Sequence, residues 1–211
     1  ANYTFASSAG TYVPLTGATT FTNTWDDEVS AAIPLGGNFT FGSVTYTACF
    51  INANGYISFG GAGSGTNYTP LSTLSASAAI VAFGRDGASS TAPGASPSIS
   101  YMNIGGVTGE FVIEYKDHAT FGGRATERLN TQIRLDLQTG AVNFVYGSWS
   151  APAGATTSQV GIRGNTVTWT NNVNSLNILD VPTGTSCNWS NVVTSNANNN
   201  TMLFSTANLV I

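Results

Sequence analysis

Charge is what this sequence has least of. Its 211 residues include six Lys and Arg and ten Asp and Glu, so charged side chains make up 8% of the chain, about a third of the usual share. The cations are scattered and the formal net charge is -4. No basic stripe exists to neutralise a phosphate backbone, which excludes nucleic acid as a partner class. Long apolar runs are missing too: none approaches the roughly 20 residues of a membrane-spanning helix. The opening residues, ANYTFASSAG, lack the basic start and apolar centre of a secretion signal, as expected of a chain already processed to begin at Ala1.

Cysteine and histidine are nearly as scarce. Cys49 and Cys187 stand far apart, and His118 is the sole histidine. Four such ligands are needed for a structural zinc site, which is therefore excluded. For the cysteines two readings stay open, a long-range Cys49–Cys187 disulfide in an exported protein or two buried thiols. A Ser-His-Asp or Cys-His mechanism would have to use His118, yet no G-x-S-x-G turn occurs and neither cysteine sits in a nucleophile context. No catalytic residue is assigned.

What the chain has instead is strand-forming material. Hydrophobic residues make up 42% and aromatics 11%, enough for a folded core. Stretches such as TYVPL, SAAIVAFG, SISYMNIG and TMLFSTANLVI are rich in Val, Ile, Thr, Tyr and Phe and are punctuated by Gly, Asn, Ser and Pro. Helical periodicity is absent apart from a short turn at LSTLSASA. The expectation is one domain over residues 1–211, an all-β antiparallel β-sandwich of jelly-roll type.

Two hairpins are legible in detail. In QIRLDLQTGAVNFVYG, Ile133, Leu135 and Leu137 alternate with Arg134 and Asp136, and Val142, Phe144 and Tyr146 alternate on the return, giving one core face and one wet face. In FINANGYISFGG, residues 50–61, Asn54-Gly55 predicts a type I′ turn with two positive φ values. The alternation in EFVIEYKD puts Glu110, Val112, Glu114 and Lys116 on an exposed face. Residues 84–97 and 118–128 read as long loops, the first too rich in Gly, Ser, Ala and Pro to be a strand.

Three groups of side chains are candidates for function. Asp26, Asp27 and Glu28 form the densest acidic cluster, and loop carboxylates suit a calcium ion, the one cofactor considered, although the D-x-D-x-D-G spacing is absent. Glu110, Glu114, Asp117, Glu127 and Asp136 are the pool for a glycosidase. Such an enzyme needs two carboxyl groups about 5 to 9 Å apart, whereas Glu110 and Glu114 on one strand are about 13 Å apart. Trp149, Tyr68, Tyr101 and Trp169 are candidates for stacking on sugar rings. Trp149 leads, because GSWSAPAG reads as a loop.

Three segments carry a family resemblance: residues 26–61, DDEVSAAIPLGGNFTFGSVTYTACFINANGYISFGG; residues 109–147, from GEFVIEYKD to NFVYG; and SQVGIRG. Their order resembles the β-sandwich domain of secreted and cell-surface modular proteins of Bacteroidetes. The likeness spans residues 26–162, with departures at Thr131 and Gly140-Ala141. It implies export through the type IX secretion system and a place on the outer face of a Gram-negative bacterium, and it supplies no catalytic residues.

The function expected from the sequence is a non-catalytic secreted or surface module for adhesion, glycan binding or extracellular assembly. Its partners would be a glycan, a cell-surface or matrix component, or copies of itself. Two alternatives accompany it. One is a building block whose edge strands pair, with the final TMLFSTANLVI as the exchange strand. The other is a jelly-roll hydrolase using Glu114, Glu127 or Asp136.

Overall fold

A computed structural model of the chain describes residues 3–9, 11–41, 44–73, 78–150, 157–164, 172–173, 187–188 and 200–206. Its strands are β1 (Tyr3–Ala9), β2 (Thr19–Thr22), β3 (Ile33–Phe41), β4 (Val44–Asn52), β5 (Tyr56–Phe59), β6 (Ala78–Gly84), β7 (Gly87–Ser89) and β8 (Ser98–Ile104). They continue as β9 (Glu110–Thr120), β10 (Arg128–Asp136), β11 (Val142–Ser150), β12 (Thr157–Arg163), β13 (Asn172–Val173), β14 (Cys187–Asn188) and β15 (Asn200–Thr206). One sheet has the order β1-β15-β11-β10-β9-β8-β2, with β7 also on β9; the other has the order β13-β12-β6-β5-β4-β3, with β14 on β12. All the described pairings are antiparallel. Among the described residues helix is confined to single turns such as α1 (Pro70–Thr73). The expected antiparallel β-sandwich is the observed fold.

Alternation fills the space between the sheets. Phe111, Ile113 and Tyr115 of β9, Ile133 and Leu135 of β10, and Phe144 and Tyr146 of β11 enter one core with Ile51, Ile57, Phe59, Ile80 and Phe83 of the opposite sheet. Two tyrosines also bolt the layers together by hydrogen bonds. Tyr115 donates its hydroxyl to the carbonyls of Asn52 at 2.7 Å and Tyr56 at 3.0 Å, and Tyr146 donates to that of Ala82 at 2.5 Å. Each bond satisfies a phenol that would otherwise be buried at a cost.

Several sequence expectations fail for identifiable reasons. Residues 11–15 form no strand but lie across the outer face of the first sheet. There Glu114 accepts the Tyr12 hydroxyl at 2.9 Å, the Leu15 amide at 3.1 Å and the Gln132 carboxamide at 2.7 Å, and Gln132 donates to the Val13 carbonyl at 2.7 Å. Glu114 is buried beneath this strap and Val112 is buried on the same face, so the face read as wet stays partly exposed only at Glu110 and Lys116. Residues 84–97 do contain a strand, since β7 pairs with 118–120 at the end of β9. TMLFSTANLVI supplies β15, which is flanked by β1 and β11. Its backbone is used on both sides, so it is no edge.

The Asn-Ala-Asn-Gly hairpin also differs from expectation. Only Gly55 has a positive φ, +84°, and the Gly55 amide reaches back to the Asn52 carbonyl at 3.3 Å. This is a three-residue loop ending in a left-handed glycine, rather than a two-residue type I′ turn. A Cβ on Gly55 would lie 2.4 Å from the Phe83 carbonyl oxygen and 2.5 Å from its ring. Cys49 is a free, buried thiol whose pKa burial pushes up to about 12. The Cys187 side chain lies outside the described residues, and β5 and β6 stand between β4 and β12, the strand that β14 pairs. Gly55→Val combines a disfavoured φ with this clash and should lower unfolding stability by about 3 kcal/mol; urea denaturation matching the parent protein would contradict the packing.

Candidate functional site

Loops from four parts of the chain meet at one end of the sandwich. The first contains Trp25, whose ring is buried and whose backbone is clamped to β7: its amide donates to the Ser89 hydroxyl at 3.2 Å, and its carbonyl accepts the Ser89 amide at 3.0 Å. Further along, the Glu28 carbonyl accepts the Ala53 amide at 2.9 Å, and Ser30 and Ile51 exchange two bonds. Asp26 and Asp27 are thereby held at a fixed place above the hairpin.

The second loop, residues 60–69, leans on the first. A Cβ on Gly65 would overlap the Asp27 carbonyl oxygen, so only glycine allows this approach. Tyr68 donates its hydroxyl to Asp27 at 3.2 Å. Desolvation, followed by the charges of Asp86 and Asp27, pushes the Tyr68 phenol up to about 12. The third contributor is the β6–β7 bend carrying Arg85 and Asp86. Asn54 positions it, accepting the Gly87 amide at 2.8 Å while donating its own carboxamide to the Gly65 carbonyl.

The bend brings Asp86 to Asp26 and Asp27, and one ligand oxygen from each lies within 4.8 Å of the others. Desolvation and then the Asp27 charge raise the pKa of both Asp26 and Asp86, and Asp86 Oδ1 is buried without a hydrogen-bond partner. Of the predicted acidic triplet, Asp26 and Asp27 are gathered, whereas Glu28 folds back to accept the Asp26 amide at 2.6 Å. Three carboxylates with little compensating charge suit a hard cation such as calcium, which would remove their mutual repulsion.

The fourth contributor follows β9. The Phe121 amide donates to the Asp86 carbonyl at 2.9 Å, and a groove of about 300 Å³ is lined by Arg85, Asp86, Phe121, Gly122 and Gly123. Phe121 is 48% exposed. Glu127 forms the groove floor, where its carboxylate accepts both the amide and the hydroxyl of Thr120, at 2.9 and 2.7 Å. Arg124 binds back to Ser89, tying the two long loops to each other.

The family can be stated at this point, since a profile described as NIDO related matches residues 2–206. The chain belongs to the NIDO-related family. Domains of this NIDO-related type are typically extracellular. No curated protein and no solved structure matches the chain. No helix among the described residues is long and apolar enough to cross a membrane.

Of the predicted aromatics, the described side chains divide between two places in the NIDO-related domain. Tyr101 on β8 packs against Phe111, ring centroids 5.9 Å apart, at the margin of the core. Trp149 lies within β11 opposite Leu129, a strand position rather than the expected loop, and its side chain lies outside the described residues. Trp169 lies outside them altogether. Of the two described side chains, Tyr68 reaches the loop end, through its bond to Asp27, and Tyr101 does not. Asp86 and Phe121 carry no signal in the sequence: each is one letter inside a loop, and only the fold brings Asp86 to Asp26, 60 positions away, and Phe121 to Asp86, 35 positions away. Millimolar calcium is expected to raise the melting temperature by several degrees, as any ligand specific to the folded state does, and Asp27→Asn to abolish the rise. An unchanged melting curve would remove cation binding from this site.

Proposed function

We propose that this NIDO-related chain is a non-catalytic extracellular module for adhesion, and that its loop end binds a glycan of a cell-surface or matrix partner. The observation that carries the reading is the groove that exposed Phe121 lines together with Arg85 and Asp86. An aromatic ring beside hydrogen-bonding groups offers the two contacts a sugar makes, its C–H face against the ring and its hydroxyls against polar atoms. The carboxylates proposed for a hydrolase are already engaged: Glu114 beneath the strap, Glu127 by Thr120, and Asp136 by the amides of Gln138 and Thr139, both at 2.9 Å. Placement on the outer face of a Gram-negative bacterium, through type IX export, rests on the resemblance of residues 26–162 alone.

A second reading, assembly with copies of itself, draws on a different surface. Gly17, with φ +73°, turns the chain off the sheet edge, so β2 ends its pairing at Tyr101 while β8 continues to Ile104. Beside this stretch lies a groove of about 330 Å³ lined by Val13, Leu15, Met102 and Ile104, with Val13 63% and Ile104 39% exposed.

Three measurements separate these readings from each other and from the hydrolase. On a glycan array followed by titration calorimetry, Phe121→Ala should weaken binding at least tenfold with no change in melting temperature; the glycan reading is lost if no sugar binds or if the variant binds equally. A panel of chromogenic glycosides that turned over would favour the hydrolase instead. In light scattering, Ile104→Lys should convert an assembled species to monomer, and a parent protein that is already monomeric at high concentration removes the assembly reading.

A further inference from the structure

His118 does not line the groove, yet it lies on the same strand two residues before Thr120, which does. Its ring is fully buried, and neither Nδ1 nor Nε2 has a hydrogen-bond partner. Phe83 meets it edge-on with ring centroids 4.3 Å apart, Trp25 at 5.7 Å and Tyr115 at 5.8 Å. Gly87 closes the remaining side, since a Cβ there would overlap Nε2. Along the backbone His118 is paired with Ser89, the residue that clamps Trp25 from both its amide and its hydroxyl. One contact therefore separates the imidazole from the segment that carries Asp26 and Asp27.

We propose that His118 is an acid-sensitive latch, whose neutral ring packs Trp25 against β7 and whose charged ring releases Trp25 and the loop end with it. A neutral imidazole fits this aromatic enclosure, whereas an imidazolium brings two donors into a space with no acceptor. Burial accordingly pushes the His118 pKa down to about 3. The ionisable groups on the surrounding elements do not compensate. Asp117 is bound by Arg128, Glu127 by Thr120, and the Tyr115 hydroxyl by two carbonyls. Asp26, Asp27, Arg85 and Asp86 belong to the loop end itself, and Arg124 bonds to Ser89; none of these groups bonds to the ring.

The sign follows from linkage. A group whose pKa is lower folded than free stabilises the folded arrangement above its free value, near 6.5, and that contribution is lost as pH falls toward 3. In a locally opened loop end the imidazole regains its ordinary pKa. The opening equilibrium constant should then rise about 25-fold between pH 7 and pH 5, from the one proton taken up on opening. The latch takes the loop end as the working surface from the proposed function, but its test needs no ligand, so the two ideas fail separately.

The test is hydrogen exchange read by mass spectrometry on the intact chain at pH 7 and pH 5, corrected for the intrinsic exchange rate. Peptides covering residues 20–30 and 86–91 should lose protection about 25-fold while a peptide covering 131–146 keeps it, and His118→Leu should abolish the loss. Equal loss in His118→Leu, or loss spread evenly over all peptides, overturns the latch. If that variant does not fold, the single histidine can be titrated by proton NMR in the parent protein, where a midpoint near 6.5 in the folded state overturns it equally.

Discussion

The buried carboxamide of Asn54 is the tie on which the loop end depends. It lies at the tip of the β4–β5 hairpin, is fully buried, and uses both ends of its side chain on other segments, the Gly65 carbonyl and the Gly87 amide. Its own amide is held by Asn52, whose carboxamide also reaches Tyr56 and Ser64. Without the Asn54 carboxamide, each of two segments would lose one of its attachments and the buried Gly87 amide would be left unpaired, which costs more than the bond itself contributes. The hairpin is scaffold, but scaffold whose purpose is to aim the residues around it.

The scarcity of charge acquires a meaning in the folded state. Glu114, Asp117 and Glu127 are all nearly inaccessible, and each is surrounded by donors: a phenol, an amide and a carboxamide for the first, Arg128 and the Ser96 amide for the second, Thr120 for the third. They serve as multi-acceptor knots that fasten irregular backbone to the sheets, a use in which ionised oxygen makes stronger bonds than a neutral carbonyl. Asp117 marks such a knot, being the one described non-glycine residue with positive φ, +48°, where β9 and β10 slip register. Asp26, Asp27 and Asp86 are the exception, gathered with few donors.

Strand identity and the core face were legible because a period of two needs only local reading; Ile133, Leu135, Val142 and Phe144 enter the core as their alternation requires. The errors arose where the deciding contact was distant in sequence. Nothing near Glu114 announces that residues 11–15 will cross above it, and nothing in GASS announces pairing with His118 to Thr120. The turn at Asn54 was misjudged because Asn-Gly permits two loop lengths, and burial against Phe83 chose between them. Two of the three carboxylates of the acidic site are adjacent letters; Asp86 comes from a bend nearly 60 residues away.

The pairing of β1 with β15 gives the module a mechanical character. Tyr3 lies opposite Thr206 and Ala9 opposite Asn200, so a pull applied between residues 3 and 206 enters at the same end of one antiparallel ladder. The load then falls on its hydrogen bonds one pair after another instead of on all together. A domain tethered through these two positions would yield by unzipping at low force, peeling β1 and β15 from β11 while the strap and the Tyr115 and Tyr146 bolts keep the remaining sandwich closed. Such a sacrificial pair would lengthen the chain under tension and leave the loop end intact.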